Sequence, residues 1–329
     1  MLTGVTKFGK VSISSGLNNL FDISLMSEYN DICGITEQEF LDNFQPSLKQ
    51  FAESNGITAD EAAAEFKAYY DGYHFAKDSA DIYNPFSTLN AFSDNEFQNY
   101  WFSTGSSSYL IKLITRGHFF LQDLEGQKRT ADELSDMSDY HLDLMPLLYQ
   151  AGYLTIKAYN PKTQKYLLGL PNREVSKAFW DSLGSHYFRG GRGGSRFDLD
   201  RFVADLEEGD ADSFMQRMKS LFASVSSEHE PDKEAHFQSM LTILVKMLGY
   251  CVRTEVHSSQ GRSDIEIETS DYIYIIELKV DSTPDAALAQ IHDRGYARQY
   301  EIDPRPKILI GANFSTRTRT LAGWITDNA

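Results

Sequence analysis

Apolar positions recur along this chain with two different periods. Met240, Leu241, Leu244, Val245 and Leu248 fall three and four apart, which predicts a helix over 232–248. Farther on, Ile265 and Ile267 alternate with Asp264, Glu266 and Glu268, the pattern of a half-exposed strand at 263–269. Residues 272–280 are β-branched and aromatic enough to predict a more buried strand, with Ser270-Asp271 left as a two-residue turn between the two. A strand at 250–257 and a loop at 258–261 precede this pair. A helix over 284–300, with Pro284 tolerated in its first turn, and a buried strand at 307–312 follow it. The predicted order is α-β-β-β-α-β.

The first half reads as mainly helical. Thr36 with Glu39, and Thr58 with Glu61, have the three-residue spacing of a reciprocal helix cap. They predict helices through Phe40, Phe44 and Leu48 and over 62–70, the second stopping at Asp71-Gly72. Asn84-Pro85 is another stop, followed by a helix through Leu89 and Phe92. A strand is expected at 2–13, a helix at 144–149, a hairpin at 152–159 and 165–170, and a helix from 171. Helix followed by hairpin predicts a winged-helix-like portion. The run RGGRGGSR at 189–196 has no apolar period and reads as a flexible joint. Two helices at 199–207 and 211–224, separated by Gly209, lead to the C-terminal segment. The expected domains are therefore 1–188, the joint at 189–196, connecting helices at 197–231, and 232–329.

Composition narrows the class. The chain has 329 residues, 41% hydrophobic, with 18 Tyr and 21 Phe, enough for two cores and too aromatic for extended disorder. Its apolar runs fall short of the roughly 20 residues of a membrane span. The N-terminus lacks the basic-then-apolar pattern of a signal peptide. Cys33 and Cys251 stand alone in sequence, which suggests reduced thiols and a cytoplasmic protein. The net charge of -16 argues against a broad non-specific grip on nucleic acid, which needs clustered Lys and Arg. A small basic groove on an acidic body stays open.

Candidate chemistry lies on the strand at 272–280. Ile273, Ile275, Glu277 and Lys279 share one face, and ionic groups ending an apolar face are costly unless paired or bound to an ion. Pairing about the turn at 270–271 sets Asp264 opposite Glu277, with their Cβ atoms about 4.5–5.5 Å apart. Carboxylates that close need a proton or a cation between them, and a hard divalent ion such as Mg²⁺ or Mn²⁺ suits oxygen ligands. An isolated E-x-K triplet would read as a surface ion pair. The apolar strand, the turn, the opposed acid and the flanking helix with Glu234 give the set its specificity.

Six stretches carry a resemblance: EAHFQSML at 234–241, RTEVHSSQGRSDIEIE at 253–268, YIYIIELK at 272–279, ALAQI at 287–291, GYA at 295–297 and ILIGANFS at 308–315. Together they resemble the PD-(D/E)XK nuclease superfamily, and more narrowly its branch fused behind an AAA-ATPase-like domain. The resemblance implies an α/β restriction-endonuclease-like domain built on a mixed sheet. It implies Asp264 and Glu277 as metal ligands, with the Leu278 carbonyl and Glu234 completing the shell. Lys279 would orient or deprotonate the attacking water and stabilise developing charge, and Gln290 would stand beside it. Ser263 occupies the place of the motif's Pro. Arg253, Arg262 and Arg298 read equally as phosphate contacts and as solvated surface, while His236 and His257 read as capping or surface residues.

Stretches of the first half, LTGVTKFGKVSISSGLNNLFDIS, YDGYHF, YNPFSTLNAF, YWFSTG, PLLYQAGYLTIK and YLLGLPNREV, resemble the end, lid and winged-helix parts of that AAA-ATPase-like domain. No GxxxxGK[ST] phosphate loop and no acid-ended partner strand occur, so this half reads as truncated and without ATP hydrolysis. For YDGYHF and YWFSTG, core packing is the larger expectation. The expected function is a Mg²⁺-dependent phosphodiesterase acting on DNA or RNA. The alternative is a catalytically weak nuclease-like binding or regulatory module that partners a separate ATPase fragment.

Overall fold

The structure is a computed structural model that describes residues 21–104, 110–111, 113–114, 121, 124–135, 143–188, 198–224, 233–249, 253–256, 264–318 and 320–328. The strand expected at 2–13 and the joint at 189–196 lie outside these residues. The chain divides into two compact units, Met1–Phe119 with Asp123–Phe179, and Phe120–Gln122 with Trp180–Ala329. Among the described residues no helix is long and apolar enough to cross a membrane.

The first unit begins with β1 (Ile35–Thr36), α1 (Glu37–Asn43), α2 (Gln45–Asn55), α3 (Ala59–Tyr70), β2 (Ile82–Tyr83), α4 (Pro85–Asp94) and α5 (Tyr100–Thr104). Both threonine caps form: the Glu39 and Glu61 amides donate to Thr36 Oγ1 and Thr58 Oγ1 at 3.2 Å each, and the glutamates accept back. Asn84 caps α4 by accepting from the amides of Phe86 and Ser87. The apolar faces of these helices meet in an aromatic core of Phe40, Phe51, Phe66, Tyr70 and Tyr83. Phe92 stacks on Phe66 with centroids 4.3 Å apart, a geometry that adds to plain area burial. Next come β3 (Lys128–Arg129), α6 (Ala131–Ser135), α7 (Met145–Gln150), β4 (Thr155–Asn160), β5 (Lys165–Gly169) and α8 (Arg173–Tyr187), whose residues from Trp180 on belong to the second unit. The expected helix and hairpin are α7, β4 and β5, and β3 joins β5 to give an antiparallel sheet ordered β3-β5-β4.

The second unit holds α9 (Leu199–Glu207), α10 (Ala211–Ser224), α11 (Lys233–Leu248), β6 (Arg253–Val256), β7 (Ile265–Glu268), β8 (Ile273–Val280), α12 (Pro284–Arg294), a 3₁₀ turn at Tyr296–Tyr300, β9 (Lys307–Ser315) and β10 (Thr320–Asn328). The sheet order is β10-β9-β8-β7-β6. It is mixed: β8 and β9 run parallel, the other pairs antiparallel. One face buries Ile273, Ile275 and Leu309 against Ile291 and Tyr296. On the other, Tyr274 Oη donates to the Leu206 carbonyl at 2.7 Å, tying β8 to α9.

Four sequence expectations are corrected. The single helix expected through Phe40, Phe44 and Leu48 is two, α1 and α2, because Phe44 between them takes φ -108° and ψ 10°, outside the helical range. The strand at 263–269 is not half exposed: Glu266 is buried because Gln299 Nε2 and Tyr300 Oη, each at 2.9 Å, cover its carboxylate. The helix from Pro284 ends at Arg294 instead of running to 300, because Gly295 takes φ 64°, a left-handed cap that costs glycine little. A further strand, β10, follows β9, which itself runs to Ser315.

Candidate active site

The β7–β8 register follows the two-residue turn. Ile265 faces Ile276 and Glu268 faces Ile273, so the same constant sum sets Asp264 across from Glu277. Asp264 Oδ2 accepts from the Leu278 amide at 2.8 Å, which fixes the carboxylate at the end of β7. Glu277 is 2% exposed. Its Oε1 accepts from Lys279 Nζ at 3.1 Å and from Gln290 Nε2, while its buried Oε2 makes no hydrogen bond of ordinary geometry. A buried carboxylate oxygen left so is costly, and a bound cation is one of the few things that compensates it.

Gln290 joins the acid to the lysine. Its Oε1 accepts from Lys279 Nζ at 2.6 Å and its Nε2 reaches Tyr296 Oη at 3.3 Å. An ammonium only donates and a carboxylate only accepts, so the amide has one workable orientation here. Tyr296 arrives because the chain breaks at Gly295 and turns back beneath α12. The sequence signal for it was the GYA match, six residues after Gln290.

Electrostatics agree with this geometry. Burial holds the Asp264 carboxyl above its ordinary range, opposed by the Leu278 amide and the Lys279 charge. Burial, then the neighbouring Asp264 carboxylate, raises Glu277, opposed by Lys279. Two buried acids, each held above its ordinary range and one with an oxygen that makes no hydrogen bond of ordinary geometry, form a donor set that a hard divalent cation fits.

Asp264, Leu278, Glu277, Lys279 and Gln290 therefore converge. Arg298 does not join them: it is exposed on the 3₁₀ turn, with its side chain beside Gly295. Glu234 and Arg253 stand on α11 and β6, but their side chains, with those of His236, Arg262 and His257, lie outside the described residues. Among the described residues no group of three or more His, Cys, Asp or Glu side chains gathers to hold a metal. Cys33 is an exposed free thiol, and Cys251 lies outside the described residues.

The second unit thus sets two opposed acids, Asp264 and Glu277, and Lys279 on a five-stranded mixed sheet, with Glu277 and Lys279 near the carboxyl end of β8. Residues 232–324 match the family model of the PD-(D/E)XK nuclease superfamily. The full chain is also similar to an "Uncharacterized protein in vnfD 5'region" of Azotobacter chroococcum mcd 1, 33% identical over 342 aligned positions. That alignment takes in all of this chain and 63% of the relative, so the chain spans under two thirds of the relative's length. No solved structure matches significantly.

Proposed function

We propose that the C-terminal unit hydrolyses phosphodiester bonds of DNA or RNA, with Asp264, Glu277 and Lys279 as its catalytic residues. The observation that carries this reading is the buried, uncompensated Oε2 of Glu277 across the strand pair from Asp264. Mg²⁺ or Mn²⁺ would be held by these two carboxylates, with the Leu278 carbonyl and Glu234 as further ligands. When bound, the ion supplies charge neutralisation at the phosphate and lowers the pKa of water. The Leu278 amide keeps Asp264 aimed inward. Glu277 and Gln290 hold the Lys279 ammonium at the edge of the site, where it can face a phosphate oxygen or take a proton from water. Arg253, Arg262 and Arg298 are the candidate phosphate contacts outside the cluster.

The N-terminal unit is proposed to derive from an AAA-ATPase-like domain, with α7, β4 and β5 as its winged-helix-like part, and to serve protein contact in the cytoplasm.

The test is cleavage of single- and double-stranded DNA and RNA with Mg²⁺ or Mn²⁺, beside Asp264→Asn. The expected loss exceeds the roughly 10–100-fold that removing an outer-shell partner costs. Cleavage that persists in Asp264→Asn sinks the assignment.

A further inference from the structure

Asp264, Glu266 and Glu268 alternate along β7 and the residue before it, so their side chains share one face of the sheet. Asp264 belongs to the candidate active site. The other two hold the chain that returns from α12. Glu266 Oε1 accepts from Gln299 Nε2, and Glu266 Oε2 from Tyr300 Oη, both at 2.9 Å. Glu268 Oε2 accepts from Arg305 Nη2 at 2.8 Å, and Arg305 Nη1 donates to the Thr269 carbonyl at 2.6 Å. The chain from 299 to 305 is thus tied to the strand that leads from Asp264.

Glu266 is 5% exposed, opposite Ile275 on β8. A buried carboxylate is costly, and an apolar side chain of similar size is often no worse for stability. The carboxylate adds direction instead, because two donors of one short turn are fixed on it. A 3₁₀ turn has poorer hydrogen-bond geometry than an α-helix, so such anchors matter. This turn, Tyr296–Tyr300, starts after the left-handed Gly295 and carries Tyr296 at its first position. Side chains three apart on a 3₁₀ turn eclipse, which sets Gln299 on the same side as Tyr296. Tyr296 and Tyr300 both pack in the apolar cluster of Ile273, Ile275 and Leu309. Tyr296 Oη accepts from Gln290 Nε2 at 3.3 Å, and Gln290 Oε1 accepts from Lys279 Nζ at 2.6 Å. These contacts close a ring. It runs from Glu266 through the turn to Tyr296, through Gln290 to Glu277, and across the strand pair to Asp264, two residues from Glu266.

We propose that Glu266 is a positioning residue of the nuclease site, acting through the 3₁₀ turn and Tyr296 on the Gln290 amide that orients Lys279. The inference rests on the nuclease reading. One strand then serves both halves of the chemistry: Asp264 is a cation ligand, and Glu266 on the same face sets the amide that aims the lysine. A fully bonded polar network fixes geometry, and a lysine fixed in advance loses less freedom when it meets a phosphate.

Steady-state cleavage by the full chain with Mg²⁺ or Mn²⁺, on a nucleic acid that the parent cleaves, tests it. Glu266→Leu removes both acceptors and keeps the strand face filled. It is expected to lower kcat about tenfold at unchanged KM, the low end of the loss for an orienting partner. Glu266→Gln, which still accepts from one partner, is expected to recover most of kcat. The deciding readout is a double-mutant cycle. In a Gln290→Leu background Glu266→Leu is expected to cost nothing further, because both act through one amide. A merely structural role would lower the folded fraction, which urea unfolding measures, and would cost the same factor in either background. Tyr300→Phe, which removes one bond, decides the same cycle if Glu266→Leu does not fold. Equal losses in both backgrounds, or an unchanged kcat in Glu266→Leu, overturn this proposal alone. A parent that cleaves neither DNA nor RNA overturns the nuclease reading and this inference with it.

Discussion

Gln290 is the residue on which the proposed site turns, because it bonds both Glu277 and Lys279 and is touched in turn by Tyr296. Replacing it with leucine keeps the bulk and removes both bonds. Nuclease turnover is expected to fall roughly 10–100-fold, the usual loss for a partner that orients the inner groups. The acid limb of the pH–rate profile should also move to higher pH, because a donor to the charged form of Glu277 is gone. A profile that keeps its shape would make Gln290 a packing residue only. Asp264 and Glu277 give a second prediction. Both are raised in the folded protein, so the folded state holds their protons more tightly than the unfolded chain does. The pair's contribution to the stability of the cation-free protein is therefore fully present below the ordinary carboxylate range and is lost as pH rises through the elevated values. In the proposed site, Mg²⁺ would reverse this by occupying the ionised pair. Thermal unfolding should show stabilisation by Mg²⁺ near pH 8 and none near pH 4, and a Mg²⁺ effect of equal size at both would refute it. The opposition of these two acids was legible in the sequence because a two-residue turn fixes the register to a constant sum. Tyr296 was marked only by the GYA resemblance, because its approach depends on a chain reversal at Gly295 that local periodicity does not encode.

Elements hold these residues in place through one close approach. Gly311 on β9 faces Glu277 in the parallel register, and α12 lies directly against it. A Cβ there would meet the Leu288 amide nitrogen at 2.4 Å and the Pro284 carbonyl oxygen at 2.5 Å. Both are backbone atoms, so the helix would have to move, and Gln290 with it. Gly311→Ala is expected to cost about 1–3 kcal/mol in urea unfolding, as overpacking does, and to lose nuclease activity beyond what that destabilisation explains. A variant of unchanged stability would show that α12 yields freely. The helix and strand order through β9 was readable from apolar period and turn residues. Two features were not. β10 carries Thr320, Gly323, Thr326 and Asp327 among its apolar residues, so no alternation marks it, and its pairing with β9 makes it a strand. Glu266 looked solvent-facing because alternation reports one face of a sheet, whereas Gln299 and Tyr300 cover the second from a distant turn.

At the scale of the whole chain, the two units carry different titrations. In the N-terminal unit the aromatic motifs that resembled a lid are largely core, and among them sits Glu174, fully buried beneath the turn that leads into α5. Burial lifts its carboxyl from 4.5 to about 7, outweighing the hydrogen bond from the Trp101 amide. The folded protein binds this proton more tightly than the unfolded chain, so the stability Glu174 contributes is fully present below the ordinary value and is lost as pH rises through about 7. The full loss is roughly 3 kcal/mol on the alkaline side. Glu174→Gln keeps the shape and stays neutral. It is expected to flatten the decline between pH 5 and pH 8 and to leave the variant more stable than the parent at pH 8, by up to that amount. Because Glu174 and the Asp264–Glu277 pair belong to different units, the Mg²⁺ response at pH 8 should be the same in parent and variant. Urea unfolding at the two pH values, with Mg²⁺ or EDTA, measures both effects in one experiment. A parent whose stability does not fall between pH 5 and pH 8 would mean that Glu174 is ionised in the folded state, with its charge carried by the amides of α5.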